Sequence, residues 1–144
     1  MSKYNWGRLR ILKYTLGGVG VTGCDFNFVT AANMDEQPID LGDIVPSNCR
    51  VLDIFTVTNN QFTGAVSLGI KIGNATGGEQ FAASADVFAA NAINQPAVGA
   101  GYTLVAISNA AAHVWLSGTP GANWSLNTAG KLTCYITIVD VTGL

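Results

Sequence analysis

The sequence is poor in the residues that carry most chemistry. Charged side chains make up 11% of it, against the roughly 25% of an ordinary soluble domain. It has one histidine, His113, so a histidine-rich metal site or a pair of catalytic histidines is excluded. A serine triad would have to use that same ring as its base, and no G-x-S-x-G is present. Three cysteines, Cys24, Cys49 and Cys134, cannot all pair and show no C-x-x-C spacing; they read as free thiols acting as small hydrophobes. No apolar run approaches the roughly 18 residues of a membrane-spanning helix. The opening MSKYNWGRLR contains no signal-like apolar stretch, so export through that route is not expected, and the N-x-S/T triplets at 74–76 and 123–125 carry no weight.

What the chain does have is apolar bulk and strand patterning. Apolar residues make up 49% of its 144 residues, and its mean hydropathy is +0.32. That balance, without a membrane segment, fits a surface partly covered by neighbouring molecules, in an oligomer or assembly. The length suits one domain.

Apolar and polar residues alternate strictly in AVSLGIKIG, with Val66, Leu68, Ile70 and Ile72 on one side, and in KLTCYITIVDVTG, with Leu132, Cys134, Ile136 and Ile138 on one side. Residues 51–58 predict a strand with Leu52 and Ile54 facing one way and Val51, Phe55 and Val57 the other, apolar on both faces and therefore central. RLRILKYT (8–15) predicts the first strand and FNFVTA a short one, while YTLVAIS, AHVWLSG and NWSLNTAG read as further short strands and turns. The alanine-rich stretch 74–101 has no lysine or arginine; it admits a short helix capped by Ser84, or a long ordered loop. The glycines of TLGGVGVTG read as a connection, because no Lys-Ser/Thr pair completes a phosphate loop. Seven to nine short strands joined by Gly, Asn and Pro turns predict an all-β fold: an antiparallel β-sandwich, with a jelly roll as the preferred topology.

The charge is lopsided. Four of the seven basic residues, Lys3, Arg8, Arg10 and Lys13, fall in the first 14 positions, leaving three basic against nine acidic residues over 15–144. The expectation is an extended basic arm, residues 1–14 including the start of the first strand, on a single acidic sandwich domain, residues 15–144. With Tyr4 and Trp6, those four cations form a candidate partner-binding set, directed at protein, not nucleic acid, because the acidic body repels phosphate. No catalytic, cofactor or metal residues are assigned, and no membrane contact. Asp53, mid-strand among apolar neighbours, is the one carboxylate whose setting suggests a raised pKa. Trp115 and Trp124 read as core or interface residues in preference to a sugar-stacking face.

The segment IDLGDIVPSNCRVLDIFTVTNNQFTG, followed by AVSLGIKIGNATGG, resembles small virion structural proteins of tailed bacteriophages. The matching residues are Ile44, Val45 and Pro46 at the turn, Val51 to Val57, Phe62 and Gly64, then Ile70, Ile72 and Gly73, with the closing strand 131–141. The resemblance implies no catalysis and a capsid decoration (cement) protein, a jelly roll that forms a homotrimer on the outer capsid surface. It further implies contacts with the major capsid protein, synthesis in the host cytoplasm, and an arm laid on the shell or a neighbouring subunit. Alternatives are another virion part, such as a head fibre, tail or host-glycan-binding knob, and a free carbohydrate-binding module.

Overall fold

In the computed structural model, residues 9–64, 67–90, 93–94 and 111–142 are described. They hold nine strands: β1 (Leu9–Gly17), β2 (Phe26–Asn27), β3 (Gln37–Val45), β4 (Cys49–Asn60), β5 (Leu68–Gly73), β6 (Ala82–Asp86), β7 (Ile93–Asn94), β8 (Ala112–Pro120) and β9 (Lys131–Asp140). These form one sheet of order β2-β1-β9-β4-β7 and a second of order β3-β8-β5-β6. Every pairing is antiparallel except β1 with β2. The chain is an all-β sandwich, and among the described residues there is no α-helix.

The pairings nest. With the short β2 set aside, β1 pairs β9, β3 pairs β8, β4 pairs β7 and β5 pairs β6, as in one long hairpin whose two arms have been rolled over. Rolling then adds β9 against β4 and β8 against β5.

The strictly alternating segments fold as they read. Leu132, Cys134, Ile136 and Ile138 of β9 and Leu68, Ile70 and Ile72 of β5 all lie in the core between the sheets. Each such aliphatic side chain contributes about 1.5–3 kcal/mol when fully buried. Val66 and the segment 102–108 lie outside the described residues. Trp124 is completely buried, stacked on Phe28 with ring centroids 4.3 Å apart, and its indole N–H donates to the Asp35 carbonyl at 2.7 Å. It is a core residue held by a polar handle.

Several expectations are corrected. In β4, Val51 and Ile54 both face the core while Leu52 is exposed, because the register against β9 slips between Val51 and Asp53. That β-bulge inserts one extra residue and reverses the alternation. Beyond it the core positions are Thr56 and Thr58, and Phe55 and Val57 stand half-exposed on the outer face. The central strand of that sheet is accordingly β9, with β4 beside it. Ser84 does not cap a helix but lies within β6, paired to β5. The small side chains of AASAD suit close packing: a Cβ placed on Gly69 would sit 3.0 Å from Ser84 Oγ. Trp124–Leu126 form a single 3-10 turn, in a segment expected to hold short strands and turns. Gly64 allows that turn to approach; a side chain there would strike the Leu126 carbonyl, and its φ of +77° suits glycine.

Candidate functional site

Of the six residues of the expected partner-binding set, Lys3, Tyr4, Trp6 and Arg8 lie outside the described residues. Arg10 and Lys13 belong to β1 itself, and the structure does not bring them together. A strand points residues three apart to opposite faces. Arg10 is exposed at the end of the inner side, its guanidinium 3.9 Å from Cys49 Sγ. Lys13 is exposed on the outer face, in register with Tyr135. Around it that face is notably apolar. Phe55 and Tyr135 stack with centroids 4.7 Å apart, and Leu9, Ile11, Leu52 and Ile93 are exposed.

The densest polar constellation lies on the outer face of the other sheet, across strands β3 and β8. His113 projects from β8 between two carboxylates of β3. Its Nδ1 is 2.8 Å from Asp43 Oδ1 and its Nε2 is 2.6 Å from Asp40 Oδ1. Asp40 Oδ1 also accepts the Gly42 backbone N–H at 2.7 Å, closing a short turn within the strand. Gly42 has φ +81°, and the register against β8 shifts on both sides of it. This irregularity is why both acids reach one ring. In a regular strand, Asp40 and Asp43 would face opposite ways.

The electrostatics follow from the contacts. The hydrogen bond to Asp43 is the largest influence raising the His113 pKa above its ordinary 6.5; partial desolvation opposes it, and the bond to Asp40 and the two negative charges add to the rise. Trp115, in register with Asp40, lies beside the imidazole with centroids 5.5 Å apart. Both ring nitrogens are engaged by carboxylates, so the imidazole is neither an available base nor an available metal ligand in this arrangement. No group of three or more His, Cys, Asp or Glu side chains suited to a metal ion occurs among the described residues. Farther along the same face, Lys71 pairs with Glu36 at 2.6 Å and lies 4.0 Å from Glu79.

A second carboxylate is held by the chain's own turns. Asp25 Oδ2 accepts from the Thr15 backbone N–H at 2.7 Å and the Thr15 hydroxyl at 2.8 Å, and these two bonds lower its pKa. Asp53, the acid singled out from sequence, directly follows the Leu52 bulge and stands in register with Thr137.

Sequence reasoning did not find the His113 cluster. Its members lie 70 and 73 residues apart along the chain. The one local signal was the glycine in D-L-G-D, a residue that weakens a strand and often marks a bulge.

The sequence matches no protein family and no curated protein. Among solved structures, the fold is similar to that of a chain in "Capsid of Ralstonia phage GP4", with a TM-score of 0.58. The alignment covers 95% of this chain and 87% of that one at 15% identity, so the likeness is one of fold. This chain, a β-sandwich, shares its overall fold with that chain.

Proposed function

We propose that this chain is a structural protein of a bacteriophage virion, and more specifically a capsid decoration protein that stabilises the outer shell through protein–protein contacts. The observation that carries the reading is the fold likeness to a phage capsid chain over nearly the whole of this sequence. The nested strand order supports a jelly roll, an architecture that recurs in viral capsids. The major capsid protein and further copies of this chain, as a homotrimer, are its partners in this proposal, and no reaction is required of it. The apolar outer face of the five-stranded sheet and the low charge suit a protein that works against neighbours.

The basic, aromatic segment 1–8 is proposed as a tether onto acidic surface of the shell or of a neighbouring subunit, using Lys3, Tyr4, Trp6 and Arg8. Arg10 and Lys13, already fixed in β1, supply charge at its root. Ordering such an arm costs about 1–2 kcal/mol per residue in backbone entropy, so it must bury its aromatics as well as pair its charges.

Quantitative mass spectrometry of purified virions tests the assignment. Abundance comparable to the major capsid protein is expected. A low copy number would move the chain to a head fibre, tail or vertex, and absence from particles would overturn the virion reading.

A further inference from the structure

The second half of β3 is irregularly paired. Among the described residues, β3 is an edge strand with β8 as its one sheet neighbour. From Asp40 to Val45 it advances five residues while β8 advances only three, from Trp115 to Ala112, with register shifts on either side of Gly42. Bulges of this kind leave ladder groups unpaired. His113 spans that stretch, reaching Asp40 before the glycine and Asp43 after it.

We propose that His113 is a protonation-dependent clasp that holds the bulged half of edge strand β3 onto β8 and opens when the imidazole loses its proton. The geometry requires two donors: each ring nitrogen faces a different carboxylate. A neutral imidazole has one N–H, so both bonds coexist only in the imidazolium. Losing the proton turns one nitrogen lone pair toward a carboxylate and leaves Asp40 and Asp43 without the cation between them.

Among the described residues, Asp40 and Asp43 are the charged groups that face the ring from β3. From β8 itself the neighbour is Trp115, which does not titrate. On the far side of β8, Lys71 of β5 is in register with Ser117 and is engaged by Glu36 and Glu79. Because the folded histidine titrates above its ordinary value, the clasp contributes fully below about pH 6.5 and fades as pH rises through the raised value. The released stretch is a sheet edge, the part of a β-protein most ready to pair with another strand. The clasp stands independently of the virion reading, since it concerns this chain alone.

The test uses the full chain. His113 is the only histidine, so its imidazole NMR signals titrate without overlap from another. Amide hydrogen exchange of residues 40–45 is measured relative to β5 at one pH below and one pH above the imidazole titration found by NMR, and corrected for intrinsic exchange. Relative protection of 40–45 should fall roughly two- to fivefold at the higher pH, the size expected of an exposed ion pair. His113→Gln should abolish that change while β5 stays protected. Asp43→Asn should move the imidazole titration back toward its ordinary range and shrink the change. Equal relative protection at both pH values, the same pH dependence in His113→Gln, or an unmoved titration in Asp43→Asn would each overturn the clasp.

Discussion

Burial alone sets the chemistry of Cys134. Its thiol sits in the core with no exposed surface, and desolvation pushes its pKa up to about 12. A thiolate is the reactive form, so this cysteine is chemically silent in the folded protein. Cys49 is also buried, whereas Cys24 is only partly covered, and none of the three is paired. A thiol reagent applied at neutral pH should therefore modify one cysteine per chain quickly, Cys24, and the other two only once the protein unfolds. Fast labelling of Cys134 in the folded protein, read by peptide mass, would contradict the packing described. Trp124 shows the complementary case, a large side chain buried whole because its one polar atom finds a carbonyl.

At the scale of the element, β4 is the most instructive strand. Its ladder with β9 pairs Val51 with Ile138, Asp53 with Thr137 and Ile54 with Ile136, so Leu52 is the surplus residue. Deleting Leu52 should leave a regular ladder as far as Thr58, with every inward residue still inward. The protein should remain folded and lose at most about 1–2 kcal/mol, near the centre of the usual range for single changes. Deleting Phe55, in the regular stretch, should abolish cooperative unfolding, because a one-residue slip turns either Val51 and Ile54 or Thr56 and Thr58 away from the core. Thermal unfolding followed by circular dichroism separates the two outcomes.

The same strand shows what could be read from sequence. β5 and β9 were legible because unbroken alternation leaves one solution for the buried face. β4 was identified as a strand but misread in its facing, because its period breaks at a bulge that no residue type announces. Around Ser84 the residues are small and helix-compatible, and what makes them a strand is pairing with β5, which lies outside any local window. The pair of acids on His113 was illegible for both reasons at once: a bulge on β3 and a partner on a distant strand.

At the scale of the whole molecule, most of the pairing among the described residues joins residues far apart in sequence. β1 lies against β9 along its full length, from Leu9 with Val139 to Gly17 with Lys131. Closing such loops costs entropy before any contact repays it, and sandwiches of this kind fold in milliseconds to seconds. Stopped-flow refolding should be slow on that scale; a main phase in the microsecond range would mean that local structure, not strand nesting, limits the rate.

The position of β9 has a consequence for how the protein is made. It is the last of the nine strands to leave the ribosome, yet it lies between β1 and β4. Until it emerges, the facing edges of β1 and β4 are both open, and Leu16, Val51 and Ile54 lack the β9 side chains that pack between them in their own sheet. A growing chain in that condition is a ready template for pairing with its neighbours on the same message. Protection in the cell therefore matters most in the interval just before β9 is translated, when its partner strands exist and their sheet cannot be completed.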